Sequence, residues 1–121
     1  ALFTLAIMIL GALAQDTHAE RDYHIVERNG SFILTDENFD KVISDHKHVF
    51  VQFTAPWCRK CEQIEEGYSR AARLLRNKKE PVYLAKIDGD QNKQTAARFR
   101  IKSYPQFKFF TNGEASNFIG Q

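Results

Sequence analysis

Two cysteines, Cys58 and Cys61, are the only thiols in the 121-residue chain, and they lie three positions apart in the stretch "APWCRKCEQ". A Pro-Trp pair separates them from an apolar, β-favouring run, so the pattern predicts that Cys58 lies in the N-terminal turn of a helix. The unpaired N–H groups and the dipole of such a turn favour an anion. Together with the positive charges of Arg59 and Lys60, they predict a Cys58 thiol whose pKa is below that of a free cysteine.

Cys61 is expected one helical turn farther along the same face, within reach of a disulfide with Cys58. Because Cys61 lies deeper in the predicted helix, we expect its thiol to be less exposed and less acidic than that of Cys58. One thiol would then attack and the other would resolve, which is the arrangement that thiol–disulfide exchange requires.

Three other interpretations of the pair are open. A structural disulfide is disfavoured because a bridge across so short a loop removes little entropy from the unfolded chain. Zinc would need four ligands, and His46 and His48 precede the strand instead of facing the start of the helix. Two inert core thiols are a poor fit to the adjacent cations, which resist burial. A redox pair that needs no metal and no organic cofactor is the favoured interpretation.

The composition is that of one globular domain, with 43% hydrophobic and 26% charged residues. A net charge of +2 does not indicate nucleic-acid binding. The N-terminal segment differs, because residues 1–14 have no charge and are followed by polar sequence.

Residues 1–14 are shorter than the roughly 20 apolar residues that a membrane-spanning helix needs. They are typical of the apolar region of a secretory signal, with Ala12-Leu13-Ala14 as an A-x-A cleavage site, although the chain has no initiator Met and no basic start. We therefore expect a partial signal peptide at 1–14, a polar lead-in at 15–30 and one domain at 31–121, with a buried element of the fold as the alternative for 1–14. A secretory route would make Asn29-Gly30-Ser31 a usable sequon and Asn29 a glycosylation candidate.

Periodicity and turn residues predict alternating strands and helices. Thr35 or Asp36 is expected to cap the first helix, and Asn112-Gly113 predicts a hairpin. The order indicates an α/β fold, a mixed central sheet with helices on both faces, and no covering helix after the last strand. The predicted strands are 31–35, 48–55, 82–88, 105–111 and 114–119, and the predicted helices are 36–46, 58–77 and 91–100.

The segments "VFVQFTAPWCRKC", "LAKID" and "SYPQFKFF" occur in this order, and together they resemble the thioredoxin superfamily. The resemblance is to the catalytic domains of protein disulfide isomerases and covers roughly residues 31 to 120. It implies a thioredoxin-like fold and a thiol–disulfide oxidoreductase or isomerase of the endoplasmic reticulum lumen or secretory pathway. The implied partners are unfolded or partly folded cysteine-containing polypeptides and, as a candidate, an upstream thiol oxidase. Neither nucleic acid nor a membrane is implied.

The resemblance also implies roles for particular residues. Cys58 would be the exposed nucleophile and Cys61 the buried resolving thiol, and the two would form a disulfide. Trp57 would flank the site as part of the client-binding surface. Pro105 falls where the family has a cis-proline opposite the cysteines, and Tyr104 before it would offer backbone groups to an extended client strand.

Of the other positions compared with the family, one matches its pattern and three depart from it. Lys86 matches a lysine that lies under the site. Arg59 and Lys60 replace the Gly-His usual in isomerases, so they are expected to tune the redox properties. Gln52 stands where the family buries an acid beneath Cys61, and an amide cannot take up that thiol's proton. We therefore expect slow resolution, and a second hypothesis follows: a client-binding chaperone module with weak or stalled thiol exchange.

Two further departures concern the helix and the end of the chain. Glu66-Gly67 replaces the helix-kinking Pro-Glu of the family, although glycine also weakens a helix. The chain stops at Gln121, before the arginine and the C-terminal helix that the family usually has, so we expect a domain truncated at this end.

Overall fold

The computed structural model describes residues 24–116. The predicted signal segment 1–14 and the end of the last predicted strand lie outside the described residues.

Residues 24–116 form a six-stranded mixed sheet with the spatial order β1-β2-β4-β3-β5-β6. The strands β2, β4 and β3 are parallel, β5 is antiparallel to β3, and a hairpin closes each edge. Parallel neighbours require crossover connections, which the helices α1 and α2 supply. The strands are β1 (Val26–Arg28), β2 (Ser31–Leu34), β3 (His48–Thr54), β4 (Tyr83–Asp88), β5 (Gln106–Thr111) and β6 (Glu114–Ala115), and the helices are α1 (Phe39–Asp45), α2 (Arg59–Arg76) and α3 (Lys93–Arg98).

Strand β3 lies at the centre of the fold and is covered on both faces. Val49, Val51 and Phe53 are fully buried on the face covered by α1 and α3, in a cluster with Phe39. On the opposite face Phe50 packs with side chains of α2. A strand covered on both faces is expected to be apolar along nearly its whole length, as the sequence of β3 is. The predicted mixed sheet with helices on both faces is therefore confirmed.

Helix α2 begins directly after Cys58, which is its N-cap, and runs without interruption through Gly67 to Arg76. Its buried side is formed by Cys61, Tyr68, Ser69 and Ala72, which recur at helical spacing. Basic residues occupy its last turn, where positive charge complements the helix dipole. The predicted helix over 58–77 is thus confirmed to within one residue at each end.

The sequence did not predict a strand within the polar lead-in at 15–30. Val26–Arg28 form β1, which pairs antiparallel with β2. Asn29 and Gly30 have φ values of 54° and 87°. This is the left-handed conformation that a two-residue hairpin turn demands and that Asn-Gly adopts readily.

The first helix is shorter than predicted, and its N-cap is Asn38 rather than Thr35 or Asp36. Asn38 Oδ1 accepts a hydrogen bond from Thr35 N at 2.7 Å, and Thr35 Oγ1 accepts one from Asn38 N at 3.2 Å. Asp36 instead accepts hydrogen bonds from the hydroxyl and backbone N–H of Thr95, at 2.7 and 2.9 Å, in the first turn of α3. These hydrogen bonds hold the pKa of Asp36 below its usual value, and the one from the Thr95 hydroxyl has the largest effect.

No helix follows β6 within the described residues, which end at Ser116. Between residues 24 and 116, none of the helices has the length and apolar character needed to cross a membrane.

Candidate active site

Cys58 and Cys61 form a disulfide at the start of α2, with their Cα atoms 5.3 Å apart. Cys58 is the N-cap, and its Sγ accepts a hydrogen bond from Cys61 N at 3.1 Å. The predicted position of Cys58 at the helix N-terminus is therefore confirmed. In the reduced protein the same N–H would point at a thiolate, and a hydrogen bond to the charged form of a group favours that form.

The expected exposure of Cys58 is not found in the disulfide form. Cys58 is 4% exposed and Cys61 is 7% exposed, so both residues are buried. The reason is packing: both cysteines form a small cluster with Ala55, against which Tyr104 also packs. Trp57 and Arg59, the chain neighbours of Cys58, are both exposed.

Trp57 forms the rim of the site and is 67% exposed. Its indole ring meets the ring of Tyr104 edge-on, with 5.6 Å between centroids. Its Nε1 donates a hydrogen bond to Asp90 Oδ2 at 2.7 Å. Asp90 was not predicted from the sequence, although it follows β4 at the edge where the carboxyl ends of the parallel strands β3 and β4 meet.

The Tyr104–Pro105 peptide bond is cis, the isomer that the resemblance led us to expect. Tyr104 lies against the cysteine cluster, and burial, then the charges of Asp90 and Asp88, raise the pKa of its hydroxyl. A Cβ at Gly89 would overlap the Tyr104 hydroxyl, so a larger residue at position 89 would displace the Tyr104 side chain. No pattern in the sequence indicated this close approach.

Gln52 and Lys86 are neighbours in register on β3 and β4, on the face covered by α2. Gln52 is 1% exposed, and its Oε1 has no hydrogen-bond partner among the described residues. Lys86 Nζ forms an ion pair with Glu65 Oε1 of α2. The two residues predicted beneath the site are thus side by side, and Lys86 has a carboxylate partner that was not predicted from the sequence.

The carboxylate of Glu65 has hydrogen-bond partners besides Lys86. Its Oε2 accepts hydrogen bonds from Ser69 Oγ at 3.1 Å and from Asn29 Nδ2 at 3.4 Å. Burial acts to raise the pKa of Glu65, but the hydrogen bond and charge of Lys86, with the bonds from Ser69 and Asn29, hold the pKa below its usual range. The signal that could have found Glu65 is its spacing, four residues after Cys61 on one face of a helix.

The remaining predicted residues lie at the edges of the site. Arg59 and Lys60 are exposed in the first turn of α2, beside the disulfide. Asn29 is exposed in the β1–β2 turn, whereas Ser31 of the same sequon is fully buried.

The two histidines weighed as zinc ligands have other partners. His46 Nδ1 donates a hydrogen bond to the carbonyl oxygen of Val42 at 2.9 Å, and His48 Nε2 lies 2.8 Å from Glu80 Oε1. Within residues 24–116, no group of three or more His, Cys, Asp or Glu side chains could hold a metal ion.

The sequence model of the thioredoxin family matches residues 30–121. The chain belongs to the thioredoxin family. Among curated relatives, human protein disulfide-isomerase A4 is 36% identical over 99 residues, which is 82% of this chain and 15% of that protein. Drosophila melanogaster protein disulfide-isomerase is 32% identical over 118 residues, 98% of this chain and 23% of that protein. This thioredoxin-family chain therefore spans less than a quarter of the length of these relatives.

Solved structures give the same result for the fold. The first thioredoxin domain of mouse protein disulfide-isomerase A4 superposes with a TM-score of 0.77 at 32% identity, covering 88% of this chain and 76% of that one. Human ERp44 superposes with a TM-score of 0.68 at 28% identity, covering 82% of this chain and 27% of that one. The predicted thioredoxin-like fold and its likeness to disulfide-isomerase domains are confirmed.

Proposed function

We propose that this thioredoxin domain is a thiol–disulfide oxidoreductase or isomerase that acts on cysteines of folding secretory polypeptides. The observation that supports this most is the position of Cys58: its sulfur lies at the N-terminus of an 18-residue helix and accepts the N–H of Cys61. The exposed cations Arg59 and Lys60 add positive charge beside that sulfur. Each feature favours the thiolate, which is the attacking form of cysteine.

The reduced domain would open a client disulfide in two exchanges. The Cys58 thiolate attacks one client sulfur, the client S–S bond breaks, and the second client sulfur leaves as a thiolate. Cys61, as a thiolate, then attacks Cys58 Sγ, and the first client sulfur leaves. The client gains two electrons, the domain forms its Cys58–Cys61 disulfide, and the reverse sequence oxidises a client. The steps need no metal or organic cofactor.

The client would bind across the rim of the site. Trp57 offers an exposed aromatic surface, and Tyr104, which precedes the cis-Pro105, lies against the cysteine cluster. We propose that the backbone at Tyr104 pairs with an extended client segment, a mode that tolerates many client sequences.

Residues 1–14 and the likeness to disulfide isomerases support the endoplasmic reticulum lumen as the location, with an upstream thiol oxidase as a candidate partner.

Glycosylation at Asn29 is testable without damage to the fold, because Ser31 Oγ has no hydrogen-bond partner within residues 24–116. Expression through the secretory pathway should give a chain that shortens with a peptide N-glycosidase, and Ser31→Ala should abolish the shift. A wild-type chain unaffected by the glycosidase would refute the assignment.

The redox proposal is tested by insulin reduction and by oxidative refolding of a reduced client. Cys58→Ser should lower both rates to background, whereas Cys61→Ser should accumulate a Cys58–client mixed disulfide on non-reducing gels. A Cys58→Ser variant that retained the wild-type rates would refute the proposal.

A second candidate, a client-holding module with stalled exchange, is favoured by the buried amide of Gln52. The double variant Cys58→Ser/Cys61→Ser separates the two, because holding would leave suppression of client aggregation intact after reductase activity is lost.

A further inference from the structure

We propose that Arg59 and Lys60 make the site selective for client cysteines that are flanked by aspartate or glutamate. This inference rests on the proposed redox function and names the class of client that the site favours. It gives the two cations a role in the choice of client, in addition to their effect on the Cys58 thiolate.

Arg59 and Lys60 occupy a place where positive charge does not help the fold. Both belong to the first turn of α2, where the helix dipole disfavours cations. The last turn of the same helix shows the opposite case, because Arg73 and Arg76 lie where positive charge is favourable. Helix stability therefore does not account for the two cations, and a role in the site explains them better.

Neither cation has a carboxylate partner among the described residues. The ion pairs found there join other cations, including Arg70 of the same helix. Arg59 and Lys60 are both exposed. Three and four residues after Lys60 come Gln63 and Ile64, so no acid faces it at the spacings that bring helical side chains together. A client carboxylate can therefore bind either cation without breaking an existing ion pair.

Covalent geometry places a bound client beside these charges. A disulfide holds the Cα atoms of its two cysteines about 4.4–6.8 Å apart, and consecutive Cα atoms of a chain are about 3.8 Å apart. The Cα of a client cysteine bonded to Cys58 is therefore at most about 11 Å from the Cα of Arg59. Charges in salt solution interact over a screening length of about 8–10 Å. The residues next to the client cysteine thus lie within the field of both cations.

The exchange reaction itself creates a place for a client carboxylate. In the reduced domain the Cys58 thiolate is an anion beside Arg59 and Lys60. When Cys58 attacks, its sulfur becomes neutral in the new S–S bond, and the negative charge leaves on the second client sulfur. The two cations have then lost this anion. An aspartate or glutamate next to the client cysteine replaces it, and arginine can bind a carboxylate through two parallel hydrogen bonds.

Among the described residues, three carboxylates near the site oppose the two cations. Asp90 Oδ2 accepts the indole N–H of Trp57, and Asp88 Oδ1 accepts two backbone N–H groups, so donors already offset part of both charges. Glu62 is exposed in the first turn of α2. Two cations and the positive end of the helix outweigh this single carboxylate. We therefore expect a positive field on the α2 side of Cys58.

The test uses disulfide-linked dimers of a short peptide with one cysteine, which is flanked on both sides by glutamate in one peptide and by lysine in the other. Because each dimer is symmetric, attack on either sulfur attaches the peptide to Cys58. Cys61→Ser protein traps this mixed disulfide, and its rate of formation is measured. Each rate is divided by that of the same dimer with dithiothreitol, which cancels the intrinsic reactivity of the disulfide. The normalised rate should be about tenfold higher for the glutamate peptide.

Variants at the two cations separate client choice from thiolate activation. Arg59→Gln/Lys60→Gln should bring the ratio of the two normalised rates to about one, because the thiolate fraction of Cys58 affects both peptides equally. Arg59→Lys keeps the charge and should keep most of the preference. Lys78→Gln/Lys79→Gln is the matched control, since both lysines are exposed beyond the other end of α2, roughly 28 Å from Arg59. It removes the same net charge and should leave the ratio unchanged.

Two further readouts respond to charge and not to a merely structural role. Alkylation of Cys58 by iodoacetate, an anion, is compared with alkylation by neutral iodoacetamide. The ratio of these rates should fall about threefold in Arg59→Gln/Lys60→Gln and stay unchanged in the lysine control. Salt at about 1 M should also weaken the preference for the glutamate peptide, because the screening length falls to about 3 Å.

Equal normalised rates for the two peptides, or a faster lysine peptide, would overturn the inference. A preference that survived Arg59→Gln/Lys60→Gln, or that disappeared in the Lys78→Gln/Lys79→Gln control, would overturn it as well. Failure of the proposed function would look different, because neither peptide dimer would then form a mixed disulfide with Cys58.

Discussion

The two faces of the central sheet differ in chemistry although they share the same strands. The face under α1 and α3 is apolar along β3, with Val49, Val51 and Phe53 fully buried. The face under α2 is apolar at one end, at Phe50, and polar toward the disulfide, where Gln52 lies beside Lys86.

The alternation of β3 explains how one strand serves both faces. Successive side chains point to opposite sides, so one strand contributes a wholly apolar row to one face and a polar residue to the other. Burying a polar group without a partner lowers stability, and Gln52 Oε1 is such a group among the described residues. We infer that the α1 and α3 face stabilises the fold and that the α2 face gives up some stability for its chemistry.

The largest expected effect is the loss of a ring from the apolar face. Phe53→Ala should lower the free energy of unfolding by about 3–5 kcal/mol, because it removes a fully buried ring from a packed core. Phe107→Ala, on the half-buried α2 face, is the matched variant and should cost about 1–2 kcal/mol. Guanidinium unfolding measures both, and equal losses would contradict the distinction between the faces.

The next effect concerns the ion pair on the α2 face. Glu65 is 35% exposed, so Glu65→Gln should cost about 1–2 kcal/mol at pH 7, between the values for exposed and buried pairs. Because the folded-state pKa of Glu65 is lowered, this stability is present above the unfolded-state pKa and is lost as pH falls through the folded-state pKa. Unfolding curves of wild type and variant should therefore converge in acid, and a difference that grew with acidification would be the wrong sign.

A smaller effect of opposite sign is expected at Gln52. The oxygen of the buried Gln52 amide has no partner within residues 24–116. Gln52→Leu replaces this amide by an apolar side chain of similar size, so it should raise the free energy of unfolding by about 1 kcal/mol. Urea unfolding measures the change. A loss of stability would show that the contacts of the amide outweigh its desolvation.

The smallest effect compares two glycines. Gly67 lies inside α2, and the space that an alanine methyl group would occupy there is open, so Gly67→Ala should stabilise the protein by about 0.5–1 kcal/mol. Gly89→Ala should instead displace Tyr104, which lowers both stability and client reduction. Thermal melting and insulin reduction measure the pair, and the same sign of stability change in both variants would contradict the difference drawn between these positions.

Much of the fold was predictable because the sequence signals were local. Continuous β-favouring runs predicted β3 and β4, and the Pro-Trp pair before Cys58 predicted where α2 begins. The start of α1 was not predictable in this way, because Asp36 forms its hydrogen bonds with Thr95, 59 residues away.

The site was predicted in part for the same reason. The Cys58–Cys61 motif and the motif around Pro105 are each a continuous stretch of sequence, so the disulfide and the cis bond were expected. The Glu65–Lys86 pair, the Trp57–Asp90 hydrogen bond and the approach of Gly89 to Tyr104 join separate elements. The burial of Cys58 depends in the same way on its packing with Tyr104.

Whether the N-terminus of α2, with Arg59 and Lys60, keeps the Cys58 sulfur ionised at neutral pH can be measured without a client. The measurement is the pH profile of Cys58 alkylation by iodoacetamide in the reduced protein, with Cys61→Ser as the variant that isolates one thiol. We predict an apparent pKa within the range of about 3.5–7.5 found for activated cysteines. Titration at about 8.5, the value of a free cysteine, would contradict the proposed activation.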